Sequence, residues 1–165
     1  MELMLREVTY LSVALRIVAA VLIGGLIGLE RGLKHRAAGL RTYMVVCLGS
    51  CLVMLTNQYI FQVFSAGDPV RMGAQVVSGI GFLGAGMIIV KNGNIVTGLT
   101  TAAGMWATAA IGIALGYGFY IGALIATIAC VFTAAFLTRI ERKRKQSTHL
   151  YIEIDLTKNI NDILD

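Results

Sequence analysis

"SGIGFLGAG", residues 78–86, decides between two very different folds. From Gly79 to Gly84 it matches the dinucleotide-binding pattern G-x-G-x-x-G, which follows a strand and needs an acidic residue about 20 positions later. The corresponding stretch here is Thr100–Gly104, and no acidic residue occurs between Asp68 and Glu141. Both flanks are long and apolar. The context therefore excludes a nucleotide loop and predicts a glycine-rich membrane helix.

The rest of the chain has the composition of a membrane protein. Hydrophobic residues make up 57% of the 165 residues and charged residues only 14%, whereas soluble domains are about 45–50% apolar. Runs of about 17–25 mostly apolar residues can cross a bilayer as helices. Such runs occur at residues 8–29, 43–64, 74–90, 99–116 and 119–138. They predict an all-α membrane protein, a compact five-transmembrane-helix bundle within residues 1–140.

The composition changes after residue 140. A basic linker at residues 141–148 leads into "HLYIEIDL", residues 149–156, where apolar and polar side chains alternate as in a half-buried strand. Thr157 is a candidate cap for a short helix after it. One strand and a short helix do not form a core. We therefore expect residues 149–165 to be the truncated start of a small cytoplasmic α/β domain.

Lysine and arginine are unevenly distributed over the predicted loops. Ten lie on one side of the membrane, and only Arg6 and Arg71 lie on the other. Cytoplasmic loops carry the excess of basic residues, so the N-terminus is predicted outside and the C-terminus in the cytoplasm. The net charge of +5 is then a signal of topology. It indicates membrane lipids as partners and no nucleic acid.

Small residues recur at helical spacing in the predicted spans. Such residues let membrane helices approach closely. The third span has two thin faces, so we expect it to be pressed between two neighbours, and some stripes to serve a homodimer. The alternative is a broken helix that lines a transport site. The candidate packing glycines are Gly24, Gly28, Gly79, Gly81, Gly84, Gly86, Gly104 and Gly112.

Few polar residues lie at membrane depth. Arg16 is the one formal charge well inside a span, and such residues are functional candidates. The alternative is that it lies near the outer interface and extends to lipid phosphates. Arg71 and Gln75, one helical turn apart, are expected as a polar pair at the outer mouth. Thr100 and Thr101 either have a functional role or bond back to helix carbonyls.

The predicted cytoplasmic ends of the first two spans carry more charged residues than the outer ends. Glu30 and Arg31 end the first span, and Arg41 and Thr42 begin the second. Glu30 is the carboxylate of this region and has several cationic neighbours. An ion-pair clamp on the loop is one interpretation. Anionic lipid head groups, or a contact with a protein or ligand, are the alternatives.

The chain lacks the motifs of common enzymes. It has no phosphate loop, no H-E-x-x-H and no plausible Ser-His-Asp arrangement. Cys47, Cys51 and Cys130 fall inside spans without a nearby His or carboxylate, so they are interpreted as small buried residues. Divalent cations prefer carboxylate ligands, and the hydrophobic interior has none. We expect no enzyme, no cofactor and no metal site, although a backbone-carbonyl filter stays open.

Four motifs in order resemble the MgtC/SapB family of bacterial inner-membrane proteins. They are G-L-I-G-L-E-R (residues 25–31), A-G-L-R-T (38–42), A-Q-V-V-S-G-I-G-F-L-G-A-G (74–86) and G-L-T-T-A-A-G-M-W (98–106). The resemblance implies five spans followed by a domain similar to the ACT fold. It also implies a link to magnesium homeostasis, acid tolerance and survival of pathogens in macrophages. The functional candidates that match the motifs are Glu30, Arg31, Arg41, Thr42, Arg71, Gln75, Ser78, Thr100 and Thr101.

One position departs from the family pattern. The MgtC branch, which is thought to restrain the ATP synthase, has an asparagine where this chain has Thr100. This favours the SapB-like group. The leading hypothesis is a non-enzymatic, homodimeric regulator that contacts another membrane complex, such as the ATP synthase, during Mg²⁺ or acid stress. The rival is a small transporter or channel for Mg²⁺ or another ion.

Overall fold

The computed structural model describes residues 7–34, 36–65, 67–68, 70–91 and 95–145. Five helices account for most of them: α1 (Tyr10–Leu33), α2 (Leu40–Phe64), α3 (Arg71–Gly86), α4 (Leu99–Gly116) and α5 (Tyr120–Lys145). A two-stranded sheet, β1 (Ile89–Lys91) and β2 (Ile95–Thr97), joins α3 to α4. The mostly helical architecture is confirmed. The expected α/β domain at residues 149–165 lies outside the described residues.

Three helices have both the length and the apolar composition of a membrane span, namely α1, α2 and α4. The apolar part of α5, Tyr120–Phe136, is shorter. With 16 residues, α3 is about 24 Å long, less than the hydrocarbon core of about 30 Å. The five predicted helices are therefore present among the described residues, but only three of them are long enough and apolar enough to be candidate spans.

The sequence had predicted a helix that continues to residue 90. The structure does not show this. Helix α3 ends at Gly86, and Ile89–Lys91 pairs antiparallel with Ile95–Thr97, with Val90 opposite Val96. Two short β-branched segments around Asn92-Gly93 are typical of a hairpin. The hairpin signal was present in the sequence, and the apolar run concealed it.

Gly98 connects the hairpin to α4 and needs to be glycine. Its φ of +93° lies in the left-handed region, and an added Cβ would overlap the carbonyl oxygen of Met87. Any other residue would combine backbone strain with a clash against main chain. The step from β2 into α4 thus requires glycine at position 98.

The core forms where α1 and α4 pack on α2. A Cβ on Gly24 would lie 2.7 Å from the backbone carbonyl oxygen of Tyr43, and one on Gly28 would lie 2.8 Å from the Cα of Leu40. Helix α3 packs mainly on α4. At the start of α1, Thr9 and Ser12 form a capping box that satisfies the first backbone amides. Small residues at the contacts bring the helix backbones close together, as in other membrane bundles.

Candidate functional site

Two polar clusters lie within the bundle, near its opposite ends. We call the end at which α1 begins the Tyr10 end and the end at which it finishes the Leu33 end. Helices α2 and α4 are parallel, because successive residues of one contact successive residues of the other, so Gly116 lies toward the Tyr10 end. Which end faces the cytoplasm stays a prediction from the charge distribution.

Arg16 forms the cluster at the Tyr10 end. Its side chain is fully buried, with 0% of its surface exposed. Its Nη1 donates to Gln58 Oε1 at 2.6 Å and to the Gly116 carbonyl oxygen at 2.7 Å, and its Nε donates to the Tyr120 hydroxyl at 3.1 Å. The guanidinium therefore ties α1 to α2, α4 and α5. The side chain does not extend to the surface, so the alternative of a snorkelling arginine is not what the structure shows.

The position of the Arg16 charge has a simple physical reason. Gly116 is the last residue of α4, and carbonyl groups at a helix C-terminus carry partial negative charge and have no partner within the helix. A guanidinium supplies both the positive charge and the donors. Gln58 and Tyr120 were not singled out in the sequence. A polar residue inside a predicted span was the available signal for Gln58.

Tyr117 lies beside this cluster, in the turn between α4 and α5. Burial raises the pKa of the Tyr117 phenol above its usual value of 10, and a side-chain hydrogen bond with Asn57 partly offsets this rise. The phenol therefore stays protonated throughout the physiological range, and the hydrogen bond with buried Asn57 holds the turn against α2.

The cluster at the Leu33 end is built on Glu30 and Arg31. Glu30 forms a salt bridge with Lys34, whose Nζ also donates to the Ala134 carbonyl oxygen of α5 at 3.4 Å. Arg31 is 3% exposed and donates from Nη2 to Thr101 Oγ1 at 3.4 Å. Glu30 Oε2 and Arg31 Nε are buried and have no hydrogen-bond partner among the described residues. Glu30 thus has a cationic partner, but the pair lies at the end of α1 itself, and the link from α1 to α5 is the hydrogen bond of Lys34 with Ala134.

Some of the residues predicted for this region belong to the cluster in the structure, and others do not. Arg31 and Thr101 are brought together, and the Tyr43 hydroxyl donates to the Thr101 carbonyl oxygen at 3.3 Å. Thr101 thus has a partner on another helix. Arg41 and Thr100 are exposed and Thr42 is half-buried. Within the described part of the chain, these three have no side-chain bond to the cluster.

Arg71 and Gln75 line one groove between α2 and α3. The groove has a volume of about 390 Å³, and Val53, Met72 and Val76 form the rest of its lining. The two polar residues share a face as predicted from their spacing. No hydrogen bond joins their side chains in the described residues, so the expected direct polar pair is absent.

Three glycines of α3, Gly79, Gly81 and Gly86, face no neighbouring helix among the described residues, which corrects the prediction that they press this helix between two neighbours. Added Cβ atoms on Gly79, Gly81 and Gly86 would have nothing within 4 Å, whereas one on Gly84 would contact Ala102 at 3.6 Å. Ser78 is exposed as well, and Phe82 is 83% exposed. We call the surface formed by Ser78, Gly79, Gly81, Phe82 and Gly86 the open α3 surface. The helical period predicts thin faces, but it does not tell which of them has a partner within the chain.

No metal-binding constellation is found in the described residues, where no three His, Cys, Asp or Glu residues lie together. Cys47 and Cys51 are buried and free, and Cys130 is half-buried and free. Close packing, apolar outer surfaces and buried polar clusters define a helical membrane protein.

Comparison with known proteins makes this class specific. The model of the MgtC family matches residues 17–143, and the chain belongs to that family. The putative magnesium transporter YhiD of Escherichia coli is 49% identical over 64% of this chain and 51% of its own length. The protein MgtC of Brucella abortus is 47% identical over 72% of this chain and 48% of its own length. The protein SapB of Bacillus subtilis is 36% identical over 88% of this chain and 67% of its own length.

The chain spans about half the length of the YhiD and MgtC relatives. The matches include proteins named SapB and proteins named MgtC, so they do not assign the chain to the SapB-like group. No solved structure matches the chain.

Proposed function

We propose that this chain is a non-enzymatic regulator in the bacterial inner membrane, linked to Mg²⁺ homeostasis and acid stress, that acts through helix contacts with another membrane complex. The open α3 surface carries the proposal. Membrane helices associate where small residues let their backbones approach. Three glycines with open space above them, on a helix that packs mainly on one neighbour, offer such a place. The ATP synthase is the candidate complex, and a second copy of this chain is the other occupant.

The buried arginines support regulation over conduction. Arg16 is bonded to three helices, and Arg31 lies inside the bundle at its other end. Positive charges along a path repel Mg²⁺. Among the described residues, Glu30 is the one carboxylate beside such a charge, and it is paired with Lys34.

Replacing Gly81 by leucine is expected to leave the bundle intact and to abolish association with the partner. A Cβ at this position would have nothing within 4 Å among the described residues, whereas a leucine there would hold a second helix away. Co-purification from native membranes in low Mg²⁺ measures the loss, which we expect to exceed about tenfold, an energy of about 1.4 kcal/mol.

Gly49→Leu is the matched control, because Gly49 is also an exposed helical glycine with open space, on α2. Equal loss of partner from both variants would contradict the assignment of α3. Thr100→Asn, measured in parallel, shows whether the residue of the MgtC branch strengthens association with the ATP synthase.

The second candidate is a transporter, for which the groove at Arg71 and Gln75 is the specific observation. The name of the E. coli relative points the same way. Transport through the groove would appear as ion flux into liposomes that Val53→Trp blocks. The Arg71 charge in the wall favours anions over Mg²⁺ on this route.

A further inference from the structure

The groove between α2 and α3 has two kinds of wall. Val53, Met72 and Val76 are apolar, whereas Arg71 and Gln75 are polar. Arg71 and Gln75 lie one helical turn apart, on one side of α3. A molecule that fills such a groove has an apolar part and an anionic or hydrogen-bond-accepting part.

The polar wall has unused donors. Among the described residues, neither the Arg71 guanidinium nor the Gln75 amide has a hydrogen-bond or ion-pair partner. The nearby carboxylate of Asp68 accepts from the Val70 amide at 2.9 Å. A guanidinium presents a planar set of donors that fits phosphate oxygens, and an adjacent amide adds another.

The groove also lies at a suitable depth. A Cβ on Gly73 would lie 2.9 Å from Met54 Sδ, so the start of α3 is level with the middle of α2. From Met54, α2 continues for ten residues to Phe64, which is about 15 Å of helix. Arg71 therefore lies well inward of the Tyr10 end of α2. Gly116, the last residue of the candidate span α4, also packs against Met54. Arg71 therefore lies at the level at which the α4 span ends, where acyl chains meet head groups.

We propose that this groove binds an anionic phospholipid. The lipid phosphate accepts from Arg71 and Gln75, and one acyl chain lies along Val53, Met72 and Val76. The polar wall thereby binds the head group, and the apolar wall binds the acyl chain. The site does not depend on the proposed function, because it concerns a lipid and needs no protein partner.

The test is a lipid titration of the purified full chain in detergent, followed by native mass spectrometry. The probes are phosphatidylglycerol, phosphatidylcholine and inorganic phosphate. We expect phosphatidylglycerol to bind about tenfold more tightly than phosphatidylcholine, because the choline cation opposes Arg71. Arg71→Gln removes most of that preference, since a charged hydrogen bond accounts for roughly tenfold or more. Val53→Trp weakens both lipids because the indole fills the apolar part of the groove.

Arg36→Gln is the control, since Arg36 is exposed and lies in the connection between α1 and α2 at the Leu33 end. It is expected to leave binding unchanged. Equal losses from Arg71→Gln and Arg36→Gln would overturn the proposal, as would a Val53→Trp variant with unchanged affinity. Displacement of the lipid by inorganic phosphate at equal concentration would also overturn it, in favour of a small-anion site. If Arg71→Gln unfolds early on heating, Gln75→Leu replaces it in the comparison.

Discussion

Replacing Arg16 by alanine is expected to lower the free energy of unfolding by about 3–5 kcal/mol. The Gln58 amide oxygen and the Gly116 carbonyl oxygen would each lose a charged donor, and an unsatisfied buried group costs about 1–3 kcal/mol. The space left by a fully buried side chain adds a cavity term. Thermal and denaturant unfolding of the purified chain in detergent measures the change.

The comparison with lysine makes the Arg16 experiment specific. A lysine keeps the charge but does not present the same planar set of donors to α2, α4 and α5, so we expect Arg16→Lys to recover only part of the loss. Arg41→Ala removes an exposed arginine and should change stability by less than about 0.5 kcal/mol. If Arg16→Ala were as stable as Arg41→Ala, the clamp between the helices would be refuted.

Replacing Gly112 by leucine is expected to destabilise the bundle by about 3 kcal/mol or more. A Cβ at this position would overlap the Cys47 carbonyl oxygen and lie 2.9 Å from the Ser50 Cβ. Both neighbours belong to α2, so the two helices would have to separate. Overpacking of a core typically costs 1–3 kcal/mol, and backbone relaxes less readily than the end of a side chain.

Gly49→Leu provides the matched measurement for Gly112. It inserts the same side chain at a glycine of α2 that has nothing within 4 Å, and we expect its unfolding midpoint to stay near that of the unaltered chain. Similar midpoints for both variants would mean that the contact between α2 and α4 is not as close as the structure places it.

The helices were predictable because apolar runs bounded by basic loops have few other solutions. The end of α3 was not, because Ile88, Ile89 and Val90 prolong the apolar run while their branched side chains favour the hairpin that follows. The length of the apolar run favours a longer helix, whereas the branched side chains at its end favour a strand. A prediction from the length alone gives a helix that is too long.

The polar clusters were predictable only in part. A charge at membrane depth marks Arg16 from the sequence alone, but its partners Gly116 and Tyr120 lie about 100 positions away along the chain. The pairing depends on how α4 and α5 pack. Glycine spacing has the same limit. Gly112 and Gly79 both belong to small-residue faces predicted from helical spacing, but a Cβ on Gly112 would meet backbone of α2, whereas a Cβ on Gly79 would meet open space.

The most direct test of the regulatory proposal is photo-cross-linking from the open α3 surface in native membranes. A photoreactive residue at Phe82, which is 83% exposed, is compared with one at Leu22 of α1, which is 66% exposed. In low Mg²⁺ we expect position 82 to give one discrete cross-linked membrane protein, and position 22 to give lipid adducts only. Identical products from both positions, together with Mg²⁺ flux by the purified chain in liposomes, would contradict a regulator that acts through α3.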